Sequence, residues 1–174
     1  DGTIALSGIY FNGDGNILGY AKSKSGSDWK EFYIHDLNTG EDLKDYLEWI
    51  KFSGMSWAGD GFYYSRFPQP EDGGELDDAN ENAKIYYHKL GTHQEEDRLI
   101  YSDSENPRIS NYISTTDDEN YLILYRTKGT SGTALYMTRV SEGKHEFHPV
   151  IDNYDYDHDI SGNIGSTFYL HTNY

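Results

Sequence analysis

"SWAGDGFYYSR" (residues 56–66) is the stretch on which the fold turns. It reads as a short strand, a Gly-Asp-Gly corner and a second, aromatic strand. Glycine supplies the positive φ that a tight hairpin corner requires, and Phe62, Tyr63 and Tyr64 are the residue types that fill a pleated, half-buried surface. The same unit returns in "FNGDGNILGYA" (11–21), "STTDDENYLILY" (114–125) and "DISGNIGSTFYL" (159–170). With Asp14, Asp60, Asp118 and Gly162 as anchors, the spacings are 46, 58 and 44 residues. The long interval holds a polar insertion, "PQPEDGGELDDANENA" (68–83), between the second and third strands of its copy. Without most of it, the period falls in the ~40–50-residue range of propeller blades.

Further strand signals fill in the units: "KEFYIHDL" (30–37), "KIYYHKLG" (84–91), "TALYMTRV" (133–140) and "STFYLHTN" (166–173). Each is an aromatic or β-branched run bounded by turn residues. One segment, "GEDLKDYLEWIKF" (40–52), offers a helical turn, though its apolar spacing is too irregular for a long helix. The expectation is an all-β chain forming a partial β-propeller: about three complete four-stranded blades plus flanking strands, in a single domain over 1–174. The units fall near 7–52, 53–105 and 106–152, with the start of the next at 153–174, and "DGTIAL" is expected to be the outer strand of a preceding blade. A β-sandwich is the rival; its strands recur at short spacing but show no long superperiod. Both ends read as cut inside strand-like patterns, so the chain is expected to be a fragment. An open arc leaves two sheet faces in water, which favours self-association of the isolated fragment.

Bulk composition removes several function classes. Fourteen Lys and Arg against thirty Asp and Glu give a net charge of −16, a field that repels nucleic acid and anionic membrane surfaces. There are 17 Tyr and no Cys; disulfides, thiolate metal sites and cysteine nucleophiles are therefore excluded. The absence of cysteine fits a cytoplasm or a periplasm equally. No apolar run approaches the ~20 residues that span a bilayer, and no signal peptide is expected before Asp1.

Motifs for catalysis or cofactors are missing. The seven histidines (35, 88, 93, 145, 148, 158, 171) form no HExxH pattern and read as satisfied surface residues. His145 and His148 would point to opposite faces of a strand, which is awkward for shared metal ligation. "DNYDYDHDISG" (152–162) spaces acids as a calcium loop does, but no Gly follows Asp159 and Ser166 stands where a bidentate Glu is needed. It reads as a solvated connection. The acidic insert at 71–81 reads as a surface loop. "GMSWAG" (54–59) misses the second Gly of a nucleophile elbow and has no helix behind it, so Ser56 reads as an ordinary β residue. "GTSGT" (129–133) lacks the Lys of a phosphate loop. No cofactor is expected.

Five segments resemble one family: "DGTIALSGIYFNGDGNILGYAKSKSGSDW" (1–29), "IKFSGMSWAGDGFYYSRFPQP" (50–70), "KIYYHKLGTHQEEDRLIY" (84–101), "NPRISNYISTTDDENYLILY" (106–125) and "STFYLHTN" (166–173) are similar to the propeller of prolyl oligopeptidases. "SGSDW", "KFSGMSW" and "YYHKLGT" are the most specific pieces. The resemblance implies part of a seven-bladed propeller that caps an α/β-hydrolase domain carrying a Ser-Asp-His triad. These 174 residues contain none of that hydrolase domain. The implied role is to gate and line the substrate site of an enzyme that cuts short proline-containing peptides after proline. The implied partners are those peptides and the hydrolase domain of the same chain.

Residue by residue, the resemblance puts Asp28 and Trp29 on the face turned toward the peptidase domain, with Glu48 a second acid of that environment. Carboxylates there tune neighbouring titratable groups by charge. The bland alternative for Asp28 is a loop acid capping its own turn. Phe52 matches an aromatic of the apolar pocket for the residue two before the substrate proline; its alternative is a blade-core Phe. Ser110 stands where a Met is usual in the animal-type pattern, and Thr130 where a Cys is usual. The exchanges make that subsite smaller and more polar. Two other classes stay open on the residues alone: a free-standing propeller-type binding module without catalytic activity, and a calcium-stabilised β-sandwich adhesin.

Overall fold

Alternation along the first strands sets the architecture. In β3 (Lys30–Asp36), Phe32 and Ile34 are buried while Lys30, Glu31, Tyr33 and His35 stay partly in water, the period of two that a one-faced strand requires. The computed structural model describes residues 3–70, 80–140 and 145–174. With β1 (Ile4–Phe11), β2 (Ile17–Lys24) and β4 (Glu41–Ile50), β3 forms an antiparallel sheet in the order β1-β2-β3-β4. A second four-stranded sheet follows the same order with β5 (Ser56–Ala58), β6 (Gly61–Arg66), β7 (Lys84–Lys89) and β8 (Arg98–Tyr101). A third comprises β9 (Ser110–Thr115), β10 (Tyr121–Thr127), β11 (Thr133–Arg139) and β12 (His148–Ile151). The last sheet pairs β13 (His158–Ile164) with β14 (Thr167–Thr172). This is a partial β-propeller. Among the described residues the one helical element is a 3₁₀ turn, Gln94–Glu96.

Four details depart from expectation. Residues 4–6 do not belong to the edge of an earlier blade: they begin β1, with Ile4 opposite Lys24. The segment 40–52 is a strand and no helical turn. Asp45 and Leu47 are buried with Tyr46 exposed between them, and the alternation then breaks at Trp49, whose φ of 62° bends the strand end. In the fourth unit, Gly162 lies within β13 at an irregularity in its pairing, and the corner residue is Gly165 at φ 58°. The equivalent corners carry Gly15 at φ 67°, Gly59 at φ 59° and Glu119 at φ 54°. The histidines are not all on the surface either; His88 is 0% exposed and His145 is buried. Most of the insert, residues 71–79, lies outside the described residues.

Neighbouring sheets bury one another. Ala21, Phe32, Ile34, Leu47 and Ile50 of the first sheet meet Met55, Trp57, Phe62 and Tyr64 of the second stretch. Their rings meet edge-on or tilted, Trp57 to Phe62 at 5.1 Å and Phe32 to Tyr64 at 6.2 Å between centroids, the geometry favoured by ring quadrupoles. Each large apolar side chain buried here is worth about 1.5–3 kcal/mol. The second seam is lighter, built on Ala58, Tyr63 and Leu122, and adds hydrogen bonds between first strands. Ser56 Oγ donates to the Ile113 carbonyl at 3.0 Å, and Thr115 Oγ1 to the Trp57 carbonyl at 3.0 Å. Ser56 is therefore a β5 residue with a structural bond. The third seam repeats the arrangement with Tyr121 against Phe168 at 5.0 Å and Asn163 Nδ2 donating to Asp118 Oδ2 at 3.0 Å.

Candidate functional site: one rim of the sheets

Strand direction decides where the candidate residues go. In every unit the first strand runs away from one rim, which we call the upper, and the second returns to it. The second-to-third loops and the connections to the next sheet therefore share the upper rim, whereas the Asp-Gly corners lie on the lower one. Asp28 and Trp29 occupy the β2–β3 loop, Phe52 the β4–β5 connection, Ser110 the first position of β9, and Thr130 the β10–β11 loop. Glu48 stands near the end of β4. All of them belong to the upper rim. The acids of 152–157 are there too.

The rim is organised around an aromatic cluster. Trp29 meets Trp49 edge-on at 5.7 Å and Phe67 at 6.4 Å, and the Phe67 amide donates to the Trp49 carbonyl at 3.0 Å. Trp29 and Glu48 border one cavity of about 380 Å³, together with Lys22, Lys24, Glu31 and Trp49. Two of the predicted residues are thus brought together. Asp28 is exposed, and the cap of its turn is made by Ser27, whose Oγ accepts from the Trp29 amide at 3.1 Å. Glu48 is fixed through its backbone: its N–H donates to Gln94 Oε1 at 3.2 Å, and its carbonyl accepts from Gln94 Nε2 at 3.0 Å. Its carboxylate accepts from the Tyr46 hydroxyl at 3.3 Å.

Phe52 is 49% exposed and sits at φ 53°. A blade-core role is excluded by the exposure. A left-handed conformation at a non-glycine residue costs of order 1 kcal/mol and concentrates at binding sites. Ser110 is half-buried opposite Thr127, and Thr130 is exposed. Among the described residues, no hydrogen bond or ring contact links either of them to Phe52.

Sequence reasoning passed over the charged groups that hold the rim. Lys51 is buried against Trp29; its only trace in the sequence is its place beside Phe52 in "KFSGMSW". Arg126, whose guanidinium pairs with Asp103 and lies 5.6 Å from the Tyr101 ring centre, ties β10 to the connection before β9. Deeper in the first seam, His88 lies between Asp45, 3.0 Å from Nε2, and Asp97, 2.7 Å from Nδ1. Burial pushes its imidazole down, but hydrogen bonds to Asp45 and Asp97 and their charge prevail and raise it to about 9. Asp45 is held below the ordinary carboxylate range: burial opposes this, and the His88 bond and the Gly91 amide overcome it.

No group of three or more His, Asp or Glu able to hold a metal occurs among the described residues. None of their helices is long and apolar enough to cross a membrane.

Comparison with known proteins places this geometry. Residues 1–174 match the family model described as prolyl oligopeptidase, N-terminal beta-propeller domain. The chain is 38% identical to a prolyl endopeptidase of Elizabethkingia meningoseptica over 98% of its own length and 24% of the relative's. It is 34% identical to a dual function macrocyclase-peptidase of Galerina marginata, covering 99% of itself and 26% of that protein. Among solved structures, prolyl oligopeptidase B from Galerina marginata bound to a 35mer hydrolysis and macrocyclization substrate superposes with a TM-score of 0.89 at 32% identity, over 99% of this chain and 26% of that one. The chain spans about a quarter of the length of these relatives.

Proposed function

Because the chain belongs to the prolyl oligopeptidase family, as a stretch of its N-terminal β-propeller, we propose that its upper rim gates and lines the substrate site of a prolyl-specific serine endopeptidase. The partner of the rim is the α/β-hydrolase domain of the same polypeptide, and the substrates are short peptides cut after proline. This chain supplies no nucleophile; its work is to exclude water, admit peptides and present an aromatic surface. One observation carries the reading: Asp28, Trp29, Glu48, Phe52, Ser110 and Thr130 all fall on a single rim. The exposed, left-handed Phe52 supports a contact with substrate, because such a residue gains little from its own core. Ser110 and Thr130, polar and small, shape a subsite of modest apolar area.

The test is Phe52→Ala in the full-length polypeptide. Peptides carrying a bulky apolar residue at the third position before the cut should lose about tenfold in kcat/KM, in line with ~1–3 kcal/mol for a lost hydrophobic contact. Peptides with glycine there should lose little. Equal losses for both would remove Phe52 from the subsite, and absence of any post-proline cleavage by the full-length wild type would remove the function.

A further inference from the structure

The end of β4 departs from its ladder. Lys30 pairs with Ile50 and Phe32 with Leu47, so Glu48 and Trp49 together stand opposite the single residue Glu31. Such a bulge bends a strand and re-aims the side chains beside it. Here it places Trp49 at φ 62° with its ring 5.7 Å from that of Trp29, and it leads the chain out to the exposed Phe52. β4 is the outermost strand of its sheet, and on its far side Gln94 takes the place of a further strand. Gln94 Oε1 accepts from the Glu48 N–H at 3.2 Å, and Nε2 donates to the Glu48 carbonyl at 3.0 Å. That is the donor and acceptor pair a neighbouring strand would present. Nε2 also donates to the Tyr64 hydroxyl at 3.0 Å. Gln94 is itself buried and held by its 3₁₀ turn, where the Asp97 amide donates to the Gln94 carbonyl at 3.2 Å and Glu96 Oε1 accepts from the His93 amide at 3.1 Å.

We propose that Gln94 is a positioning residue of the Phe52 subsite: its side-chain amide locks the Glu48–Trp49 bulge, and through the bulge it fixes where Phe52 meets substrate. A primary amide suits the task because it offers an acceptor and a donor side by side at any pH. Glutamate in its place keeps the shape and changes the protons. Ionised, it only accepts, and it faces the Glu48 carbonyl with nothing to donate; protonated, it regains one donor. Among the described residues, Glu48, Glu95, Tyr86, Arg66 and Lys84 border one cavity of about 330 Å³ with Gln94, and Tyr64 lies against it with Asp97 behind. The acids favour the neutral form of a carboxyl placed there and the cations favour its charged form. The subsite role rests on the function proposed above; the locking of the bulge does not.

The experiment compares the full-length polypeptide with its Gln94→Ala and Gln94→Glu variants on two peptides, one with a bulky apolar residue and one with glycine at the third position before the cut. The readout is the ratio of their kcat/KM values, because titration of the cleaving groups and loss of folded enzyme affect both peptides alike and cancel. The wild type should favour the bulky peptide about tenfold, at a constant ratio from about pH 5 to about pH 8. Gln94→Ala should bring the ratio near parity throughout. Gln94→Glu should keep the preference in acid and lose it as the new carboxyl ionises, a titration that a merely structural glutamine would not produce. Near-ultraviolet circular dichroism of the Trp29–Trp49 pair, identified by its loss in Trp49→Phe, follows the bulge without any cleavage and should titrate in Gln94→Glu alone. If Gln94→Ala folds poorly, Gln94→Glu carries the test by itself. A preference that survives Gln94→Ala, or a Gln94→Glu variant whose ratio and dichroism are both independent of pH, overturns the proposal. If the wild type cuts neither peptide, or both equally, the functional reading fails and the dichroism decides: titration in Gln94→Glu upholds the lock, and its absence overturns it.

Discussion

Replacing His88 with Gln probes the bond that joins the first two sheets. The imidazole is wholly buried, as are the Asp45 and Asp97 carboxylates that flank it. Asp97 also accepts from the Tyr64 hydroxyl at 2.6 Å. Removing the cation leaves two buried carboxylates facing each other across an amide, a change that costs about 3–5 kcal/mol in buried ion pairs. The raised imidazole gives an independent figure: a rise from 6.5 to about 9 corresponds to roughly 3 kcal/mol of preference for the protonated form in the folded state. Because the folded value lies above the unfolded one, this stability is complete below pH 6.5 and is lost as pH climbs through about 9. Asp45 runs the other way: its lowered value stabilises the fold above the ordinary carboxylate range and is lost as pH falls through it. Tyr64 is held up by burial and by Asp97, so it stays neutral across the alkaline window. Urea denaturation followed by tryptophan fluorescence is the assay, since Trp57 lies in the same seam. The wild type should lose about 3 kcal/mol between pH 6 and pH 10. His88→Gln should already be lower by that amount at pH 6 and show a flat profile above it. A variant that costs less than about 1 kcal/mol, or that keeps the wild-type alkaline loss, would refute the triad as a source of cohesion.

Two more outcomes follow from local packing. Gly61→Ala places a Cβ on the His88 carbonyl oxygen and against the Lys89 backbone; backbone cannot step aside cheaply, so the urea midpoint should fall by the equivalent of about 2 kcal/mol or more. Arg126→Met keeps stem volume but removes the one cation paired with the Asp103 carboxylate among the described residues, leaving it the Glu105 and Asn106 amides and Asn106 Nδ2. A loss of about 2 kcal/mol is expected at neutral pH by thermal melting. It should shrink in acid, because Asp103 is held below its ordinary range (burial opposes, Asn106 and Arg126 prevail) and its contribution disappears as pH falls through that lowered value.

Much of the architecture was legible because hairpin corners and aromatic strands announce themselves locally. Gly15 and Gly59 have the positive φ that their motifs demand, and "GFYYSRF" becomes β6 with Phe62, Tyr63 and Tyr64 all buried. The errors are equally physical. In "DISGNIGSTFYL" two glycines compete for the corner, and only pairing register separates Gly165, at the turn, from Gly162, inside the strand. "GEDLKDYLEWIKF" hid a strand because a buried Asp45 and a left-handed Trp49 interrupt its apolar alternation. An acid in a core position makes sense only once the histidine of another sheet is placed against it, and that pairing spans 43 residues of sequence.

The same long-range logic explains why the rim was only half readable. Trp29 and Phe52 stand out by type, but what holds them is assembled from separate sheets. Gln94, buried in the 3₁₀ turn after β7, bonds both backbone groups of Glu48 and donates to the Tyr64 hydroxyl at 3.0 Å. Tyr64 in turn donates to Asp97, the partner of His88. A continuous set of hydrogen bonds therefore runs from the buried triad to the strand end that carries Glu48, Trp49 and, two residues on, Lys51. Apolar packing alone would leave that strand end free to slide along the seam, whereas directional bonds to a fixed imidazolium set its register. The polar content of this seam is thus what turns a stack of interchangeable aromatic sheets into a rim with defined side-chain positions, and position is what the proposed substrate-lining role requires.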